Sequence, residues 1–480
     1  MKKIGLFLLA VIAILLIVLV TRSLSLKSKQ IAPTGTKTDV SQIEGAIERI
    51  SKSITYKTIS FDDTALIDYT QFLAFHEFLR TSYPAVFSTC REEMVNTYTM
   101  VLEWTGKDPT LPPGIFMAHQ DVVPVSDDTK DMWTVPPFDG LIKDGILYGR
   151  GAIDDKINLM AQLETAEFLI KAGFQPERTI YFVFGHDEEI GGEEGARKVA
   201  ELFEQRNIRA FFVLDEGGII TNEKVPGMTK PVALIGTAEK GWLNLELTVD
   251  IPGGHSSMPE KATSIDVMAK ALTDLRNHPF PASITPSVQD FLNHVAPEMP
   301  FTNKLVMSNL WLFKPLLYKI YGSSATGDAM IRTTMVPTII NGGVKSNVIP
   351  TIVKTTVNYR LLPGTSVQDA IQHTEKAINN PQVQIRVIPI AKEATTSAST
   401  DSLAFQQLMS PLKHHFDDVV VAPFLMIGGT DSRHFQNVTP NIYKFSPMID
   451  PIGFHGVNEQ LKVAEYQQAI GFYVDFIKKL

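Results

Sequence analysis

Between residues 114 and 218, short apolar runs alternate with helix-like stretches, and this rhythm limits the fold more than any other feature. "GIFMAH", "TIYFVFGH" and "RAFFVLDEGG" are strand-like runs. Between them, "NLMAQLETAEFLIKAG" and "GARKVAELFEQRN" have helical spacing, and the first reads as amphipathic and stops at Gly173, a C-cap signal. Helical stretches also precede them at "AIERISKSI" and "LIDYTQFLAFHEFLRTSY". Alternating β and α elements predict an α/β fold with a largely parallel sheet and helices on both faces.

The rhythm changes after Gly241. "WLNLELTVD" alternates as a half-buried strand, "SIDVMAKALTDLRN" is helical, and "MIRTTMVPTIING" and "VIPTIVKTTVNYRLLP" are strands. "VQDAIQHTEKAIN" and "VQIRVIPI" complete a β-α-β-β-α-β order, the ferredoxin-like pattern. It predicts a domain at 241–390, inserted between a first part of the main domain at 41–240 and a second at 391–480. An additional segment, 279–328, contains "LVMSNLWLFKPLLYKIYG". It is read as packing, with an apolar ligand channel around Leu312 and Phe313 as the sharper alternative.

The amino terminus, "MKKIGLFLLAVIAILLIVLVTRS", is uncharged from Ile4 to Val20. As a helix that run spans roughly 25 Å, near the thickness of a bilayer's hydrocarbon core. It is long for a signal-peptide core, and no A-x-A cleavage site follows. The expectation is one transmembrane helix at 4–20 as an uncleaved single-pass anchor, with the body on the extracytoplasmic side. Cleavage and secretion form the alternative. Residues 21–40 are polar and aperiodic, and read as a linker.

The body carries no Lys/Arg-rich run and the chain has a net charge of −8, which argues against a nucleic-acid partner. Cys90 is the only cysteine, so neither an intrachain disulfide nor a thiolate zinc site can form. Its context, "TCREE", carries no nucleophile signal, and Cys90 is read as inert.

Acidic residues gather instead at strand ends. Asp187, Glu188 and Glu189 follow the run 180–184, His119 and Asp121 follow "GIFMA", and Asp215 follows "FFVL". In an open α/β sheet, side chains beyond the carboxyl ends of parallel strands converge on one crevice. Asp154, in "GRGAIDDK", sits at a glycine-flanked turn on the same side. Adjacent carboxylates need a positive partner. With His455, the set His119, Asp154, Glu189 and Asp215 supplies two imidazoles and three carboxylates. Two divalent cations and one hydroxide balance that charge, whereas one cation leaves the cluster anionic and costly to bury. Imidazole and carboxylate without thiolate suit zinc first, with manganese or cobalt as alternatives. A bridging carboxylate such as Asp154 can span the roughly 3.5–4 Å between paired metals. No H-E-x-x-H, G-x-S-x-G or complete dinucleotide loop is present.

Six stretches, "MAHQDVVPV", "GRGAIDDK", "GHDEEIGG", "LDEGG", "GGHSSMP" and "GFHGVNE", occur in this order. Together they resemble the signature set of the co-catalytic zinc aminoacylase/carboxypeptidase family, over about residue 45 to the end. "RTTMVPTIINGGVKSNVIP" and "SNLWLFKPL" are most similar to its carboxypeptidase S branch, which includes N-fatty-acyl-amino-acid synthase/hydrolases. The resemblance implies a parallel-sheet zinc-hydrolase domain with an inserted lid and dimerisation domain, a homodimer through that insert, and two zinc ions per chain. It implies that His119 and Asp215 hold one zinc, Glu189 and His455 the other, and that Asp154 bridges. Asp121 would orient His119, and Glu188 would be the general base. His255 would stabilise the oxyanion. Asn347, Arg360, Gly429 and Thr430 would contact substrate, with Arg360 pairing with a carboxylate. His186 and His434 are read as structural. The blander readings are a turn cap for His255 and a solvent-facing strand charge for Arg360.

The implied activity is hydrolysis of an amide bond beside a free carboxylate, in an N-acyl amino acid or a short peptide. A general carboxypeptidase or dipeptidase of the same family is one alternative, and a non-catalytic binding protein on the same fold is another.

Overall fold

Strand Gly114–His119 is buried at every position, as is Phe212–Asp215, so neither shows the polar alternation of a half-exposed sheet. Both lie inside a nine-stranded sheet in the computed structural model, which describes residues 2–222 and 224–480. The strands run in the order Arg91–Val95, Thr99–Trp104, Ile180–Gly185, Gly114–His119, Phe212–Asp215, Ile442–Lys444, Val232–Glu239, Val420–Met426. Ile220–Thr221 pairs off this path with Val232–Glu239.

The sheet is mixed rather than largely parallel. Gly114–His119 pairs in parallel with both its neighbours, where helices supply the crossovers. At one edge, Arg91–Val95 and Thr99–Trp104 form an antiparallel hairpin, and the second strand runs antiparallel to Ile180–Gly185. Asn96 and Thr97 turn that hairpin with φ of 48° and 73°.

Helices Lys156–Lys171 and Val463–Ile477 cover one face, where Phe116 meets Phe212 edge-to-face at 5.3 Å and Phe476 at 5.6 Å. Lys156–Lys171 is buried all round rather than amphipathic, with thirteen of its sixteen residues inside. Most of its charged groups are paired. Lys156 Nζ donates to the carbonyls of Ser53 and Tyr56, and Glu164 accepts both Arg49 and Tyr83. Gly173, at φ 73°, follows the helix end as expected. Helix Ala196–Gln205 and the short turn Asp431–Asn437 cover the opposite face.

A second sheet has the order Thr334–Gly342, Ile352–Leu361, Gly241–Asp250, Val383–Lys392, antiparallel throughout. Helices Ser264–Asn277 and Val367–Ile378 pack on one face of it. The strict inside–outside alternation of Gly241–Asp250 records that single covered face.

The additional segment packs elsewhere. Its helices Pro286–Val295, Leu310–Tyr321 and Ala325–Ile331 share a core with Val232, Val420, Ala422 and Leu425 of the main sheet.

The amino-terminal helix runs Lys2–Ser25 and is apolar and mostly exposed over a bilayer-spanning length. Only its end docks, with Asn309 Nδ2 donating to the Leu19 carbonyl and Ser23 bonding Ser308. The following residues are not a free tether. Gln30 exchanges two hydrogen bonds with the Val421 backbone, and Thr34 and Thr38 donate to Ser410 and Asp475. These partners lie between 376 and 437 residues away, which local polarity cannot reveal.

Candidate metal centre

Parallel register places the acidic turn beside His119. His119 is level with Gly185, so residues 186–189 leave the sheet next to the imidazole. Residues 215–216 leave the neighbouring strand on the same rim. Asp154 approaches from the turn preceding helix Lys156–Lys171, and His455 from the 450–459 loop.

Two groups of potential ligands share Asp154. On one side, His119 Nε2 lies 3.0 Å from Asp154 Oδ1 and 3.4 Å from Glu216 Oε1. On the other, His455 Nε2 lies 2.8 Å from Asp154 Oδ2 and 3.1 Å from Glu189 Oε2. Each oxygen of one carboxylate thus faces its own imidazole–carboxylate pair.

The electrostatics call for positive charge. Burial and then the Asp154 charge push the Glu216 carboxyl up to about 8. Burial also raises Glu189. His455 is pushed up to about 10 by hydrogen bonds to Asp154 and Glu189. Asp154 moves the other way: burial opposes its charge, but both imidazoles hold it below the usual carboxylate range.

His119 Nδ1 is 2.9 Å from the Asp121 carbonyl, an acceptor that fixes the proton on Nδ1. A neutral His119 then aims the Nε2 lone pair at two carboxylates. That juxtaposition, with the partnerless buried Oε1 of Glu189, fits a cation in each group.

Asp121 ties the centre together. Its carboxylate accepts the amides of Glu188 and Glu189, each at 3.1 Å, and the Ser60 hydroxyl at 2.7 Å. It also lies 3.3 Å from His119 Nδ1. Glu188 is outside both ligand groups, and burial raises its carboxyl well above the usual range.

The structure brings Glu216, not Asp215, to His119. The two oxygens of Asp215 instead accept the backbone amides of Glu216, at 2.9 Å, and Ser432, at 2.8 Å. The "LDEGG" stretch contained the signal, since both acids follow the strand.

Sequence reasoning also missed Glu459. Its buried carboxylate accepts Arg150 Nη1 at 2.6 Å and the amides of Gly151, Ile153 and Asp154 at 3.0, 2.9 and 3.3 Å. One side chain thereby joins the His455 loop to the Asp154 turn. Closely spaced donors in "GRGAID" and an acid in "GVNE" were the only traces.

The expected substrate residues lie on other elements. His255 is exposed, pairs through Nδ1 with Ser257 Oγ at 2.8 Å, and belongs to neither ligand group. Asn347 is exposed, and its carbonyl accepts the Ser256 amide. Arg360 is not a free surface charge. It stacks on Trp242 at 4.0 Å, and burial, aided by Arg433, lowers it to about 10. Gly429 is exposed beside Arg433, and Thr430 donates to Glu239 Oε1 at 2.9 Å.

His186 bonds Thr99 and His434 the Gly191 carbonyl, and neither belongs to a ligand group. Cys90 is buried and pushed up to about 12, which leaves no thiolate at neutral pH.

The sequence pattern of peptidase family M20/M25/M40 matches residues 115–479. The chain is 41% identical over 449 residues to "Probable carboxypeptidase S-like 2" of Dictyostelium discoideum, spanning 92% of this chain and 86% of that protein. It is 38% identical over 445 residues to the N-fatty-acyl-amino acid synthase/hydrolase PM20D1 of Homo sapiens, spanning 91% and 86%. A solved M20 family metallo-carboxypeptidase of Sulfolobus solfataricus, 17% identical, superposes with a TM-score of 0.67 over 91% of this chain and 99% of that one. That likeness is one of fold.

Proposed function

The chain belongs to peptidase family M20/M25/M40 and is a metallohydrolase, and from that premise we propose that it cleaves the amide bond of N-acyl amino acids beside their free carboxylate. The observation that carries this reading is Asp154, shared by two imidazole–carboxylate groups, with Glu188 alongside and outside both.

His119 and Glu216 would hold one zinc ion, Glu189 and His455 the other, and Asp154 would bridge. When bound, the ions supply Lewis acidity, polarising the scissile carbonyl and acidifying a water. Glu188 accepts a proton from the attacking water and returns it to the leaving amine as the C–N bond breaks. Burial alone favours its neutral form, so its service as a base depends on the positive charge of the centre. Asp121 holds His119 and the Glu188 amide in one register.

The second sheet and its two helices are read as a ferredoxin-like lid. Closure would carry His255 to the developing oxyanion. Arg360, already stacked on Trp242, would pair with the substrate carboxylate, and Asn347, Gly429 and Thr430 would line the substrate. Edge strand Thr334–Gly342 exposes Val336, Ile339 and Ile340, which supports its use as a homodimer edge. The Lys2–Ser25 helix is read as a single-pass anchor with the body outside the cytoplasm. Cleavage of that segment would make the protein secreted.

The relative named as carboxypeptidase S-like favours one second reading, a carboxypeptidase acting on short peptides. Metal analysis of the purified chain, with turnover of N-acyl-leucines set against dipeptides, separates the two. Metal-dependent turnover of dipeptides alone would replace the acyl reading with the peptide one.

A further inference from the structure

A cavity of about 320 Å³ is lined in part by residues that directly follow the Glu216 ligand position in the chain. Its wall begins at Gly217 and Gly218, directly after Glu216. It continues along Phe424 and Met426 of the edge strand and closes against Phe291 and Tyr321 of the 286–331 helices. Leu312 and Phe313, the residues expected to govern an apolar ligand channel, do not line it, and Leu312 is solvent-exposed.

The two glycines allow close packing against neighbouring wall residues. Gly217 has φ 125°, and a Cβ there would lie 2.7 Å from Met426 Cε. A Cβ on Gly218 would lie 1.9 Å from the Leu234 carbonyl oxygen. Glycine at both positions thus lets the chain directly after Glu216 lie against Met426 and Leu234, which also line the cavity.

Size selects the occupant. A dry apolar cavity of about 150 Å³ already holds benzene. A space twice as large would be left half empty by the aromatic side chain of an amino acid. An unbranched alkyl chain fills it, and the walls that meet it are mainly hydrocarbon.

We propose that this cavity is the acyl-chain subsite, which takes the alkyl tail of an N-acyl amino acid and favours tails long enough to fill it. The proposal rests on the amide-hydrolase reading above. Because the volume is finite and buried residues such as Phe291 and Tyr321 line it, the preference rises with chain length and then levels off.

The test is kcat/KM of the full chain for acetyl-, hexanoyl-, dodecanoyl- and octadecanoyl-leucine, without detergent and below micelle formation. The expected rise is up to about fourfold per added methylene, or ~0.8 kcal/mol, before the plateau. Leu234→Phe fills the cavity from its wall, and Ile427→Trp narrows the half-exposed rim. Each should cut the dodecanoyl-to-acetyl ratio by at least about tenfold while acetyl turnover stays within about twofold. Melting temperature identifies any variant that fails to fold.

An unchanged ratio in folded variants of both kinds overturns the proposal, as does a flat acyl series. A loss that instead follows the amino-acid side chain, in an acetyl-glycine, acetyl-leucine and acetyl-phenylalanine series, overturns it too. Calorimetric titration with dodecanoate needs no turnover and separates this proposal from the hydrolase reading. Binding weakened in Leu234→Phe supports the subsite even if no acyl amino acid is cleaved, and equal binding refutes it.

Discussion

Asp121 accepts the backbone amide of Glu188 at 3.1 Å, and its carboxylate stands 3.3 Å from His119 Nδ1 on the other side. One buried carboxylate therefore sets the distance between the proposed base and a proposed ligand. Asp121→Asn keeps the size but replaces one acceptor oxygen with a donor that meets an N–H. Metal affinity or kcat should fall roughly 10–100-fold, the usual cost of losing such support. Metal titration followed by steady-state kinetics reads both, and a variant with wild-type values in each would remove Asp121 from this role.

Glu188→Gln removes the proposed base and keeps its shape. Metal content should be unchanged while kcat falls by at least about 10²-fold. Loss of metal in this variant would make Glu188 a ligand, and near-normal kcat would move the base elsewhere.

Glu216 and Asp215 make opposite predictions from adjacent positions. Glu216→Gln should weaken cation binding on the His119 side, since its carboxylate faces that imidazole. Asp215→Asn should retain the cations, because its oxygens accept backbone amides. Equilibrium dialysis with zinc distinguishes them, and the reverse pattern would restore Asp215 as the ligand.

That pair also shows how far the sequence could be read. His119, Asp154, Glu189 and His455 were legible because each sits in a short motif, and the sheet brings strand ends together. Glu216 was not. Register with Gly114–His119 puts Asp215 on the same sheet face as Met117 and His119, so period-two reasoning also points to Asp215. The chain leaves the strand at that residue, and the turn delivers the next side chain instead. The hairpin Arg91–Trp104 was hidden for another reason: a charged "REEM" at an edge looks like a loop. The 286–331 helices lie within the insert in sequence yet pack on the main sheet. Apolar periodicity says that a face is buried, never against what.

Breaking the buried Arg150–Glu459 pair should cost about 3–5 kcal/mol, because it strands a charge and three amides. Glu459→Ala should show this in urea unfolding of metal-free protein. A loss below about 1 kcal/mol would mean that solvent or relaxation satisfies those donors.

The last prediction concerns pH and the segment after the amino-terminal helix. Asp475 accepts His415 Nε2 at 2.8 Å and the Thr38 amide at 3.2 Å. Burial raises its carboxyl, but hydrogen bonds from His415 and Thr38 prevail and hold it below its ordinary 3.8. A carboxyl depressed on folding binds protons more readily when unfolded. Its stabilisation is complete above the unfolded value and disappears as pH falls through the lower folded value. The stability difference between wild type and Asp475→Asn should therefore be steady from neutrality to about pH 5, and shrink below about pH 4. Thr38 belongs to the segment laid along the body, so the same acid range should expose residues 26–40 to proteolysis in the wild type. In Asp475→Asn that exposure should already be present at neutral pH. Parallel unfolding curves and limited proteolysis at stepped pH measure both effects. A difference that grows on acidification would reverse the sign and refute this account of Asp475.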